Sequence, residues 1–146
     1  MITDLDIGWT AGIVDGEGSI GVYDTYRKGR STRLWTVRVM VVNTDVRIIH
    51  RFHHLWGGHF HMSARAGMTK DERRKKDLWR WQVSGKEACR FLRRIRGSLV
   101  SKGEQADLLL EFGKLLMHTR SGTPIPEENI HQREVLAAQL KLAKVG

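Results

Sequence analysis

Cysteine is nearly absent from this chain. Cys89 is the single thiol in 146 residues, so no internal disulfide can form, and a reducing, intracellular setting is expected. Long apolar runs are missing too: nothing approaches the roughly 20 apolar residues of a transmembrane helix, which argues against a membrane protein. The N-terminus, Met1 to Asp6, carries acid where a secretory signal would carry base. Proline occurs twice, at Pro124 and Pro126, both ahead of the last predicted helix. Acidic residues are also in short supply, with 16 Asp plus Glu against 25 Lys plus Arg, a formal net charge of +9. Such an excess favours a polyanionic partner, and nucleic acid is the first candidate. What is present is a 40% hydrophobic content over a length that suits one domain, residues 1–146, long enough to bury a core.

Periodicity organises that domain. Asp6 to Val14 reads as a helix, ended by the glycines of Asp15-Gly16-Glu17-Gly18. Two strand-like runs follow, Ser19 to Tyr26 and Leu34 to Asn43, joined by a basic turn over Arg27 to Ser31. In the second run Trp35, Val37, Val39 and Val41 alternate with Leu34, Thr36, Arg38 and Met40, so one face is core and the other partly polar. Thr44 is placed to cap a helix over Asp45 to Leu55, stopped by Gly57-Gly58. His59 to Arg65 and Leu78 to Val83 form a second predicted hairpin around a loop holding Lys70 and Arg73 to Lys76. Ser84 and Glu87 have the capping-box spacing for the next helix, whose outer face carries Arg90, Arg93, Arg94 and Arg96. Helices over Gly103 to Met117 and Glu127 to Lys144 complete the chain, the last one peripheral. The order α-β-β-α-β-β-α-α-α implies an α+β fold: an antiparallel four-stranded sheet with helices on one face and the other face open.

The most informative stretch is Thr10-Ala11-Gly12-Ile13-Val14-Asp15-Gly16-Glu17-Gly18. Gly8, Gly12 and Gly16 recur every fourth residue with Ala11 beside them, leaving a helix stripe without bulky side chains that another helix can approach closely. The plainer reading lays those glycines against the chain's own sheet, and each costs about 1 kcal/mol of helix propensity. Asp15 and Glu17 flank Gly16 at the helix end, where an ordinary acidic turn is the simpler alternative.

This nonapeptide resembles the signature of the LAGLIDADG homing endonucleases, and the helix, hairpin, helix, hairpin, helix order extends the resemblance over roughly Leu5 to Leu116. Thr10 departs from the family's leading Leu, and Glu17 stands where many members have Asp. The resemblance implies the family's α-β-β-α-β-β-α fold with a saddle-shaped sheet, and a single motif implies a homodimer joined through Gly8, Ala11 and Gly12, with Asp15 serving the helix end or the interface. It implies Mg²⁺ held by the Glu17 carboxylate and the Gly16 carbonyl, since hard cations prefer oxygen ligands. Asn43, Arg47 and Lys102 match the polar and basic residues of the family's active-site shell. Asn43 reads equally as a strand-end residue and Lys102 as a solvated lysine.

Double-stranded DNA is the partner this implies, with the two-stranded ribbons in the major groove. Counting by twos from Glu17 puts Ser19, Gly21, Tyr23 and Thr25 on the open face, joined by Thr36, Arg38 and Met40. The second hairpin contributes His61, Ser63, Arg65, Arg80 and Gln82. Arg38, Arg80 and Gln82 are the base-edge candidates, while Lys28, Arg30 and the Arg73 to Lys76 cluster suit phosphates. A one-residue slip in register would exchange each of these for its buried neighbour. His53, His54, His59 and His61 lack the ligand spacing of a structural zinc site. The expected activity is therefore a Mg²⁺-dependent double-strand break in a long, near-palindromic target, as intron homing requires. The runner-up is an RNA-binding maturase or non-cutting DNA-binding regulator of the same fold. A structural RNA-binding protein would leave the helix glycines and Asp15-Gly16-Glu17-Gly18 unexplained.

Overall fold

A computed structural model of the chain describes residues 1–25, 34–63, 77–117 and 125–145. Lys28, Arg30, Arg65, Lys70 and the Arg73 to Lys76 cluster lie outside the described residues, as does the side chain of Thr25.

Helix α1 runs Asp4–Glu17, two residues earlier and three later than the periodicity predicts. Its start is set by a capping box in which the Thr3 hydroxyl accepts the Asp6 N–H while Asp6 accepts the Thr3 N–H. Gly16 does not break it, and the helix closes only at Gly18, whose extended backbone leads straight into a strand. Strand β1 (Gly18–Thr25) pairs antiparallel with β2 (Leu34–Asn43). Helix α2 spans Val46–Trp56 and is capped by Asp45, whose carboxylate accepts the Arg47 N–H, rather than by Thr44. Strand β3 is short, His59–Met62, and β4 covers Trp79–Ser84. The expected Ser84–Glu87 capping box is not formed: the Ser84 side chain makes no cap bond. Ser84 still pairs with Arg38 in the sheet, and Gly85 at φ +62 turns the chain into helix α3, Gly85–Ile95. A 3-10 turn at Arg96–Ser98 leads to α4, Gly103–Met117, followed by α5, Glu127–Val145.

The sheet order is β1-β2-β4-β3, all antiparallel, which makes β1 and β3 its edges. Alternation along the strands sends Ile20, Val37, Val39, Val41, Trp81 and Val83 into the core, where they meet Val14, Ile49, Phe52, Phe91, Leu92, Leu109 and Phe112. An aromatic cluster ties α2 and α3 to β4: Phe52 lies 4.8 Å from Trp81, and Phe91 lies 5.2 Å from Trp81. Helix α5 packs along α4 through buried Ala137 and Leu140. Buried Arg133 and its neighbour Asn129 both donate to the Leu115 carbonyl near the end of α4.

Arg96 leaves the cationic face expected of α3. It forms a bidentate pair with Asp107 of α4, at 2.7 and 2.8 Å.

Candidate active site

The site gathers at the C-terminal end of α1, where helix, sheet and the loop before α4 converge. Glu17 is the last helical residue and is exposed. Asn43, at the end of β2, donates from Nδ2 to Glu17 Oε2 at 2.5 Å and accepts the Asp45 N–H on Oδ1 at 2.7 Å. Because both ends of the amide are engaged, its orientation is fixed and one carboxylate oxygen of Glu17 is held while the other stays available. Arg47 does not reach Glu17. Its guanidinium grips Asp45 at 2.9 and 2.7 Å, so it is joined to the carboxylate only through Asp45 and Asn43.

Of the two roles expected of Asp15, the helix end is the one its hydrogen bonds serve. Its carboxylate accepts the backbone N–H groups of Val100, Ser101 and Lys102 at 2.7, 3.2 and 3.0 Å, together with the Ser101 hydroxyl at 3.1 Å. Lys102 answers with its ammonium, which donates to the Asp15 carbonyl at 2.6 Å. The loop carrying Lys102 is thus clamped to α1 two residues before Glu17. Burial by itself raises the Asp15 carboxyl, but the hydrogen bonds from Val100, Lys102 and Ser101 outweigh it and hold the group below its ordinary 3.8.

A depressed carboxyl contributes stability that is present above the unfolded value and lost as pH falls through the folded one. Thermal unfolding followed from pH 6 down to about pH 2 should therefore show Asp15→Asn less stable than the native chain near neutrality and less sensitive to acid. Asp6, lowered by the Thr3 backbone bond, and Asp107, lowered by Arg96, leave the variant a residual acid slope. An unchanged acid slope would show that Asp15 is not the acid-labile clamp.

The oxygen donors here suit a hard divalent cation. Helix α1 offers no N–H to the Gly16 carbonyl, no other hydrogen bond to it is formed among the described residues, and Glu17 retains a free oxygen. No group of three or more His, Cys, Asp and Glu gathers among the described residues, so one chain supplies few ligands by itself.

The small-residue stripe is open. Leu5, Gly8, Gly12 and Gly16 are exposed, and among the described residues a Cβ added at any of the three glycines would meet nothing within 4 Å. The glycines therefore do not pack on the chain's own sheet. Ala11 is a correction: it is fully buried in the core beside Thr10 and Val14, because one helical step of 100° turns it away from Gly12. Thr10, the departure at the first motif position, donates to the Asp6 carbonyl at 2.7 Å and accepts the Trp56 indole N–H at 3.0 Å.

The sheet register settles which side chains share the face away from the core. Ser19 pairs with Met40 and Met40 with Gln82; Gly21 pairs with Arg38; Tyr23 pairs with Thr36; Arg80 pairs with His61. Directly paired residues share a face, so these candidates form one surface. The same register adds His59, opposite Gln82, and Val42, opposite Arg80, which the count by twos did not include. Arg38 stacks its guanidinium 4.6 Å over the Tyr23 ring. The Nε atoms of Arg38 and Arg80 are buried without a hydrogen-bond partner among the described residues. Ser63 extends the hairpin by donating its N–H to the Leu78 carbonyl, while its buried hydroxyl has no partner among the described residues.

No protein-family model and no curated protein sequence matches this chain. Solved structures do. The homing endonuclease I-CvuI, in complex with its target and 2 mM Ca, superposes with a TM-score of 0.74 at 21% identity, covering 97% of this chain and 83% of that one. A second I-CvuI structure was solved with 2 mM Mg on a DNA that was not cleaved. The archaeal intron-encoded homing endonuclease I-Vdi141I, complexed with DNA, gives 0.73 at 14% identity, covering 96% and 84%. The LAGLIDADG homing endonuclease I-GzeII, also with its DNA target, gives 0.70 at 12% identity, covering 93% of this chain but only 45% of that one. This chain therefore has the LAGLIDADG homing-endonuclease fold, and no described helix is long and apolar enough to cross a membrane.

Proposed function

We propose that this chain is a divalent-metal-dependent, site-specific DNA endonuclease that acts as a homodimer and cuts both strands of a long, near-palindromic duplex. The observation that carries this reading is the Asn43-held Glu17 carboxylate at the foot of an open glycine stripe, beside a sheet face bearing Arg38 and Arg80. Two copies paired through Gly8 and Gly12 bring two Glu17 carboxylates to one axis, one for each strand. That pairing also accounts for size, because this chain matches less than half of I-GzeII.

Glu17 and the Gly16 carbonyl would hold Mg²⁺, which when bound activates a water as nucleophile and stabilises the leaving oxyanion. The chain's own residues orient that chemistry. Asn43 fixes the Glu17 carboxylate by donating to one of its oxygens. Asp15 holds Lys102, whose positive charge stands near the negative charge that develops on the scissile phosphate. Phosphate contacts set the position of the duplex, and Arg38, Arg80 and Gln82 read base edges in the major groove, where arginine suits guanine and glutamine suits adenine. One break at one long site is the activity that intron homing requires.

Cleavage of a randomised duplex library by the native protein, with Mg²⁺ and with Ca²⁺, tests the reading. Paired cuts at one enriched, near-palindromic sequence in Mg²⁺ are expected. Specific binding without cutting would establish a regulator instead, and preference for structured RNA would establish a maturase.

A further inference from the structure

Gly21 is the member of the open-face row Ser19, Gly21, Tyr23 that has no side chain, and it lies on an edge strand, yet it is buried. Two groups cover it. The Tyr23 ring lies back along the strand, its hydroxyl 3.5 Å from Ser19 Oγ and its edge 3.8 Å from the point where a Gly21 Cβ would stand. The second is Lys144 from the last turn of α5, whose Nζ stands 2.8 Å from that same point. Docking of α5 along α4 therefore delivers an ammonium to the sheet edge, onto the face that carries Arg38 and Gln82.

Arg38 is the cross-strand partner of Gly21 and places its guanidinium over the same Tyr23 ring. An ammonium and a guanidinium thus converge on one bare glycine and one aromatic ring. Among the described residues no carboxylate pairs with either. Like charges gathered without a counter-ion repel, and they are stabilised when an anion binds between or above them. We infer that Lys144 is a phosphate-binding residue of the DNA surface, seated on Gly21 and neutralising one backbone phosphate of the bound duplex. This rests on the DNA-binding reading above. It makes the packing of α5, through Arg133, Ala137 and Leu140, part of DNA affinity. It also gives Gly21 a reason: any Cβ there would displace the ammonium.

The test is binding of a labelled duplex of mixed sequence, without Mg²⁺, titrated with salt for the native protein, Lys144→Ala, Lys141→Ala, Gly21→Ala and the Gly21→Ala/Lys144→Ala pair. Each neutralised phosphate contributes about 0.9 to the slope of log K against log salt. Lys144→Ala should lower the slope by about that amount and weaken binding to all sequences alike. Lys141→Ala, a change at an exposed lysine on the same helix, should leave the slope as it is. Gly21→Ala should weaken binding in the native background and add nothing once Lys144 is gone. An unchanged slope for Lys144→Ala, an equal loss from Lys141→Ala, or additive effects of Gly21 and Lys144 would each overturn the inference while leaving DNA binding intact. A flat salt response of the native protein would remove the DNA-binding reading itself.

Discussion

Glu17→Gln should lower single-turnover cleavage of the preferred duplex by about a thousandfold or more, with no loss of affinity for it. Glutamine preserves the size of the side chain and keeps an oxygen for the Asn43 amide, so the local structure survives. What disappears is the negative charge that fits the site for a divalent cation and its contribution to transition-state stabilisation, several kcal/mol at roughly 1.4 kcal/mol per factor of ten. Removing a carboxylate from beneath a polyanion should, if anything, tighten binding. The two readouts, cleavage rate and Kd on one duplex, separate catalysis from recognition. A Glu17→Gln protein that cuts within tenfold of the native rate would place the chemistry elsewhere.

In the proposed homodimer, Gly12→Leu should yield a monomer that no longer makes double-strand breaks, without destabilising the fold. The argument rests on the open space at that position. A Cβ at Gly12 meets nothing within 4 Å among the described residues, and leucine exceeds glycine in helix propensity by roughly 0.7 kcal/mol or more, so the isolated subunit should melt at the same temperature or slightly higher. Across a two-fold axis, however, the same side chain appears twice where two helix backbones have to approach each other. Sedimentation equilibrium and thermal melting on the same sample decide the matter. A stable monomer identifies the stripe as the interface, whereas an active dimer would move the interface off α1.

How far the sequence carries is clearest at particular elements. The bounds of β2 and α4 were legible to the residue: alternation with period two from Trp35 to Val41 marks the strand, and Gly103 opens the helix that runs to Met117. Glycine in the last turn of α1 predicts an earlier end than the helix has; the clamp between Asp15 and the loop at Val100 to Lys102 holds that turn in place. The spacing of Ser84 and Glu87 predicts a capping box, but sheet pairing with Arg38 and the left-handed Gly85 set the turn there.

Sequence alone determined the alternation that separates core from open face, the glycine stripe, the acidic pair at the end of α1 and the cationic excess. Each of these follows from local periodicity or composition, which a linear chain displays directly. Tertiary structure alone decided that Asn43 meets Glu17, that Asp15 serves the Lys102 loop and that Ala11 turns inward while Gly12 stays open. It alone brought Lys144 to Gly21. Those contacts join residues from 26 to 87 positions apart for Asn43 and Lys102, and farther still for Lys144. Their existence depends on how helices dock on a sheet, a balance of packing across the whole core that no short segment of sequence encodes.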